Sequence, residues 1–213
     1  SAKLRPREKV GICGRTGAGK SSLISALYRL ADEHAGTITI DGIDIDTVDL
    51  ATLRSRIAII PQEPTLFGGT VRRNLDPLST HRDDEVWEAL DLVSLKTLVE
   101  QRPDRLESEV KEGGENWSAG QRQLLCMARA LLQRCKIVIL DEATAACDVD
   151  TDALLQRTIR KVFADCTVLT IAHRVHTILD SDRIMVLDAG RIAELDAPGT
   201  LLANPSSMFR ALM

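Results

Sequence analysis

No apolar run in this 213-residue sequence approaches the ~20 residues that a membrane-crossing helix needs. The longest, such as Ile137 to Leu140, have the length of a strand. A basic segment leading into an apolar stretch, the mark of a secretory leader, is also missing. The chain opens on Ser1 instead of methionine, which suggests a processed or excised piece with further sequence upstream. There is no basic excess: 27 Lys+Arg stand against 31 Asp+Glu, a formal charge of −4. That balance argues against nucleic acid as the main partner, because phosphate backbones are bound by a concentrated positive face. Metal-type cysteine pairs are lacking as well. Cys13, Cys126, Cys135, Cys147 and Cys166 are odd in number, and no two lie two to four residues apart. They read as reduced, mostly buried thiols. Internal repeats and low-complexity tracts are absent, and no N-K-x-D string offers a guanine site.

What is present fits a globular protein, with 44% apolar and 27% charged residues. The length allows one large or two small domains. Strand-like and helix-like patches alternate, which predicts an α/β fold with a mostly parallel sheet. Lys9 to Cys13 reads as a buried strand, followed by a glycine-rich turn and a helix from Lys20. Leu23, Leu27 and Leu30 are expected to form that helix's apolar face. Thr37 to Ile40 and Ile43 to Ile45, around Asp41-Gly42, predict a small hairpin. Ile57 to Ile60 predicts another strand, stopped by Pro61. From about Pro64 to Asn116 strand signals vanish and helix signals take over, around Asp84 to Val93 and Leu95 to Gln101. This predicts a helical subdomain over 64–116 set into a core of 1–63 and 117–213. Alternation then resumes: a helix from Ser118 to about Leu132, strand 137–140 and a helix near 151–162. Strand 167–171, a short helix to Leu179, and two strands around Ala189-Gly190 complete the pattern.

Gly14 to Ser21 reads G-x-x-x-x-G-K-S between a strand and a helix, the context in which that pattern cradles phosphate. Glycines let successive backbone N–H groups curl around the anion, and the helix N-terminus points its free amides at it. The backbone of Gly14, Arg15, Thr16, Gly17, Ala18, Gly19, Lys20, Ser21 and Ser22 is therefore the candidate cradle. Lys20 is expected to reach the β- and γ-phosphates, and the Ser21 hydroxyl to ligate Mg²⁺. A second candidate is the apolar strand that ends in Asp141 and Glu142. An Asp there sits beside Mg²⁺ in phosphate-loop proteins, and Glu142 can polarise an attacking water. Two solvated acids at a strand end are the plain alternative. Ser118 to Gln121 has the S-x-x-Q pattern of a helix capping box. Its helix start could equally present a second phosphate-facing surface.

Taken with the phosphate loop, the strings EGGENWSAGQRQLLCMARALL and ILDEATAACD make the chain resemble the nucleotide-binding domain of ATP-binding cassette (ABC) transporters. The likeness runs from about Val10 to Leu202. It implies that Gly14 to Ser21 is the Walker A loop, Gln62 the Q-loop glutamine, and Ser118 to Gln121 the signature, with Gly120 facing the nucleotide. Asp141 would be the Walker B aspartate, Glu142 the catalytic glutamate, Asp148 the D-loop aspartate and His173 the switch histidine. The strings IIPQEPTLFGGTVRRNLDP and EGGENW look like the multidrug-resistance-associated (C) subfamily, and more like its second nucleotide-binding domain than its first. The resemblance implies ATP and Mg²⁺ as cofactors, with Ser21, Gln62 and Asp141 on the metal. It implies ATP hydrolysis through Glu142, His173, Gln62 and Lys20, powering substrate export. The partners implied are a second nucleotide-binding domain, head to tail within one polypeptide, and transmembrane domains, which places the domain on the cytoplasmic face of a membrane.

The sequence departs from the family pattern at two places. Trp117 and Ala119 stand where Leu and Gly are common. Residues 1–13 hold no aromatic, whereas the family stacks adenine on one upstream of this strand; truncated N-terminal strands and weak ATP binding by the isolated chain are thus expected. Two other functions fit part of the pattern. One is an ATP-gated regulatory module with little turnover, against which Glu142 speaks. The other is a soluble ABC ATPase of DNA repair or translation; the short interval from Gln62 to Ser118 leaves no room for a coiled-coil insertion. His34, His81 and His176 are expected in loops or helices, and Trp87 in packing.

Overall fold

A computed structural model describes residues 1–30, 36–141, 149–172 and 174–213. In chain order, β1 (Lys9–Cys13) leads to α1 (Lys20–Leu27), and β2 (Thr39–Ile40) and β3 (Ile43–Asp44) form a hairpin. Then come α2 (Leu50–Ser55), β4 (Ile57–Ile60), β5 (Gly69–Thr70), α3 (Val71–Leu75), α4 (Asp83–Leu92) and α5 (Lys96–Glu100). After β6 (Glu109–Val110) the chain runs through α6 (Ala119–Leu132), β7 (Ile137–Asp141), α7 (Val149–Val162) and β8 (Thr167–Ile171). It ends with β9 (Arg183–Asp188), β10 (Arg191–Asp196), α8 (Pro198–Ala203) and α9 (Met208–Ala211).

Six strands form the main sheet in the order β10-β9-β1-β8-β7-β4. β1 pairs in parallel with β8 on one side and β9 on the other, while β10 returns antiparallel to β9. A buried parallel strand needs side chains that are apolar on both faces, and Val10, Ile12 and Cys13 are all buried. Gly11 between them is forced by crowding: a Cβ there would come within 2.6 Å of Ile178 Cβ.

The chain divides into two compact units. The first comprises 1–58, 136–139 and 166–213, and its main core gathers Val10, Ile12, Ile24, Leu53, Ile139, Leu169 and Leu187. A second apolar cluster seats Phe209 of α9 with Ile184, Val186 and Leu201. There the Glu194 carboxylate accepts from the Ser207 hydroxyl and from the amides of Met208 and Phe209, tying the start of α9 to β10. The Glu8 carboxylate accepts two bonds from the Arg183 guanidinium. Those bonds, against the opposing effect of burial, hold its pKa below the usual carboxylate range.

The helix after the phosphate loop differs from the reading of the sequence. It ends at Leu27, and Ile24 is its buried apolar residue, with Leu23 and Leu27 partly covered. Leu30 lies beyond the end and is exposed, because Arg29 takes a positive φ of 48° that no helix continues through.

The second unit comprises 59–135 and 140–165. Its helices α4 and α6 pack together, and Val86, Ala89, Leu90, Leu124, Leu125 and Met127 are buried. The interval 64–116 is mainly helical but not wholly so. β5 and β6 pair antiparallel, Gly69 opposite Val110 and Thr70 opposite Glu109. Two residues per strand are too few to leave a periodic signal. Asp76, almost wholly buried, closes the turn between α3 and α4. Its carboxylate accepts from the Thr80 amide and hydroxyl and from the His81 amide. Burial would raise its pKa, but the bonds from His81 and Thr80 outweigh that and hold it at about 2. Among the described residues, no helix is long and apolar enough to cross a membrane.

Candidate functional site

The phosphate loop grows directly out of β1. Gly14, the first residue after the strand, has φ +152°, and a Cβ on it would lie 2.3 Å from the Leu187 carbonyl oxygen. Only glycine fits there. The space around Gly17 is open, so its demand is conformational: φ is +80°, which L side chains rarely adopt. The Ala18 amide donates to the Arg15 carbonyl at 3.0 Å, curling the loop. From outside, the Gly190 amide in the β9–β10 turn donates to the Ala18 carbonyl at 3.0 Å and braces it.

Lys20 is buried at 7% exposure, and its ammonium donates across the loop to the carbonyls of Gly14 at 2.8 Å and Arg15 at 3.2 Å. The loop is thereby drawn around a fixed positive charge. Arg15, Thr16, Gly17, Ser21 and Ser22 are exposed. α1 starts from Gly19 with no side chain capping it, whereas side chains cap α2, α3 and α6. A helix start without a cap leaves its first amides for an anion. The glycine-lined curl, the central ammonium and this helix start together fit a nucleotide polyphosphate. Beneath the loop, burial pushes the Cys13 thiol up to about 11, with Lys20 opposing and Glu194 reinforcing the shift.

The remaining described candidates belong to the second unit. Gln62 is exposed in the segment that follows β4. Its neighbour Pro61 is fixed by the buried Gln123 of α6, whose side-chain amide donates to the Pro61 carbonyl at 3.1 Å. Gln123 escaped notice in the sequence; its only signal is an amide on the apolar stripe of a helix. Asp141 is the last residue of β7 and is half-buried.

Ser118 caps α6 as a capping box. Its hydroxyl accepts from the Gln121 amide at 3.2 Å, and the Gln121 side chain accepts from the Ser118 amide at 3.0 Å. Gly120 is buried and Ala119 half-buried in the first turn. Ahead of the cap, the strongly buried Trp117 ring lies beneath the Arg102 guanidinium, 3.9 Å from ring centroid to Cζ. No spacing rule marks that pair. Glu142, Asp148 and His173 lie outside the described residues, as do Cys147 and His34. Among the described residues no disulfide forms: Cys13, Cys126 and Cys135 are buried and Cys166 is half-buried.

Among the described residues, no group of three or more His, Cys, Asp or Glu converges on one point. Mg²⁺ bound with a nucleotide does not need one, since it takes one or two carboxylates, water and phosphate oxygens. The exposed Ser21 hydroxyl in the first unit is an oxygen of that kind, and so, within the second unit, is the Asp141 carboxylate.

Residues 1–145 match the family model described as ABC transporter. The chain is 57% identical over 206 residues to ABC transporter C family member 5 of Arabidopsis thaliana, covering 97% of this chain and 14% of that protein. It is 57% identical over 209 residues to mouse ATP-binding cassette sub-family C member 4, and 56% identical to the human protein of that name. Each of these two alignments covers 98% of this chain and 16% of the relative. The chain thus spans about a seventh of the length of these curated relatives. Among solved structures, a bacterial Atm1-family ABC exporter with ATP bound superposes with a TM-score of 0.90 at 35% identity. That superposition covers 98% of this chain and 36% of the exporter chain. The chain belongs to the ABC transporter family, as an ATPase domain of its multidrug-resistance-associated C subfamily.

Proposed function

We propose that this domain powers substrate export by the transporter of which it is a part, through ATP-driven closure of two nucleotide-binding domains head to tail. The observation that carries the reading is the Gly14–Ser22 loop, with its buried Lys20 and uncapped helix start, followed by an independently capped Ser118 helix suited to a nucleotide held by another domain. The partner is a second nucleotide-binding domain in the same polypeptide, and transmembrane domains carry the substrate. The site then works on the cytoplasmic face of the membrane. The division into a core of 1–63 and 117–213 and a helical subdomain of 64–116 is part of this reading.

Within the site, backbone amides from Gly14 to Ser22 hold the phosphates, and Lys20 neutralises the β- and γ-oxygens. Ser21, Asp141 and Gln62 would hold Mg²⁺, which supplies charge compensation on the phosphates. Glu142 accepts a proton from the attacking water, and His173 donates to the γ-phosphate. Asp148 serves in this reading as the D-loop aspartate toward the nucleotide. Ser118, Gly120 and Gln121 aim donors at the phosphates of the nucleotide held by the facing domain.

The test is Lys20→Met in the full transporter and in this chain. ATP titration should show weaker binding by this chain, and ATP-driven transport in sealed vesicles should be lost. Unchanged ATP affinity together with unchanged transport would overturn the reading.

A further inference from the structure

In a capped helix, the residue just before the cap packs against the fourth helical residue and fixes the angle at which the chain approaches the first turn. In α6 that arrangement is broken. The residue before the cap is Trp117, but the fourth helical residue is Arg122, whose Nε is buried with no hydrogen-bond partner among the described residues. The Trp117 ring is covered instead from another element. Arg102, two residues past α5, places its guanidinium over the indole, with Cζ 3.9 Å from the ring centroid, and both residues lie in the same compact unit. Trp117 is 3% exposed, its amide donates to the Gly114 carbonyl at 2.9 Å, and its indole N–H has no partner among the described residues. The indole is thus held by packing and by the cation on its face, with no side-chain hydrogen bond to add direction.

We propose that Arg102 and Trp117 are a positioning pair for the nucleotide-facing end of α6. The stack fixes the approach to Ser118, and through it the aim of the Ser118 hydroxyl and the Gly120 and Gln121 amides. Neither residue touches nucleotide. Ala119 makes the aim more critical, since its methyl already narrows the approach of a phosphate to this helix start. The inference rests on the proposed role of Ser118 toward nucleotide held by the facing domain.

The experiment uses the full transporter in lipid vesicles, with Arg102→Ala, Arg102→Lys, Trp117→Phe and the double variant Arg102→Ala/Trp117→Phe. A cation–π contact of this kind corresponds to about a three- to tenfold change in an equilibrium. The KM for ATP in steady-state hydrolysis should rise by that factor in Arg102→Ala, with kcat within about twofold. Arg102→Lys should restore most of the loss, and the double variant should be no worse than Arg102→Ala alone. A merely structural role gives the opposite split: kcat per mole falls with the fraction folded, and KM stays put. An unchanged KM in Arg102→Ala, or losses in the double variant that multiply, would overturn the proposal. Lys20→Met separates the two ideas: if it leaves both ATP affinity and transport in the same vesicles intact, the functional reading itself has failed.

Discussion

Gly14 and Leu187 approach so closely that a single methyl on residue 14 would sit 2.3 Å from the Leu187 carbonyl oxygen. The contact ties the first turn of the phosphate loop to the backbone of β9, one strand away. Gly14→Ala should therefore cost about 1–3 kcal/mol of stability from overpacking and backbone strain, and weaken ATP binding as well. Gly17→Ala serves as the control, because its surroundings are open and only the φ of +80° is strained. Its cost should be about 1 kcal/mol. Urea unfolding midpoints would decide this; equal midpoints for Gly14→Ala and wild type would contradict it.

Lys20 supplies charge to the loop, and its removal also leaves the carbonyls of Gly14 and Arg15 without a shared donor. Charge-assisted hydrogen bonds contribute about 1.5–3 kcal/mol each, so losing even one predicts roughly a 10- to 150-fold loss of ATP affinity in Lys20→Met. Titration calorimetry measures it directly. A loss below threefold would mean the backbone amides hold the polyphosphate unaided.

Ser118 has two separable duties. As a cap, its replacement by alanine should cost ~1 kcal/mol, and Ser118→Asn should restore that, since asparagine caps equally well. ATP-driven transport should fall in both variants, because the longer asparagine side chain displaces the donor offered to nucleotide. Recovery of transport by Ser118→Asn would reduce Ser118 to a cap alone.

Asp76 makes stability depend on pH. Its pKa is about 2 when folded, against an ordinary 3.8. The carboxylate form is thus favoured by folding, and the contribution is complete above about pH 5 and lost as pH falls through 4 toward 2. Asp76→Asn should cost about 2 kcal/mol at pH 7, with the gap to wild type narrowing steadily below pH 4. Denaturant midpoints at pH 7, 4 and 3 are the readout; a gap that does not narrow would assign the loss to shape instead of charge.

Glu142 directly follows Asp141, the last residue of β7, in the chain and is proposed to accept a proton from the attacking water. Glu142→Gln should leave ATP binding intact while hydrolysis by the full transporter falls roughly 10²–10⁴-fold. Turnover within about twofold of wild type would remove Glu142 from that role.

The elements most legible in the sequence were those whose pattern is local. Lys9 to Cys13 is a run of apolar residues that ends in a glycine turn, and it is β1 residue for residue. Ser118 announces its own cap three residues ahead of Gln121. The phosphate loop is readable because its glycines stand where a close approach or a positive φ demands them, with Lys20 at a fixed interval behind. What escaped was set by a backbone turn or by distant partners, which periodicity does not register. Leu30 has the spacing of a core residue, but the turn at Arg29 carries it into solvent. The β5–β6 pair rests on Gly69 and Val110, far apart in the chain and too short to leave a periodic trace. Arg102 and Trp117 are fifteen positions apart, and no periodicity relates an arginine to the indole it covers.

β1 is hydrogen-bonded along both edges, to β8 through Lys9–Ile12 and to β9 through Val10–Cys13. Moving its C-terminal end would break two ladders at once, so the amides of Val10 to Ile12 should exchange only on global unfolding, which hydrogen–deuterium exchange would measure. The loop proposed to hold the phosphates is therefore mounted on a strand secured along both edges. In the proposed cycle, nucleotide would load and leave while this support keeps one conformation, and any mobility has to be drawn from elements that are less doubly secured.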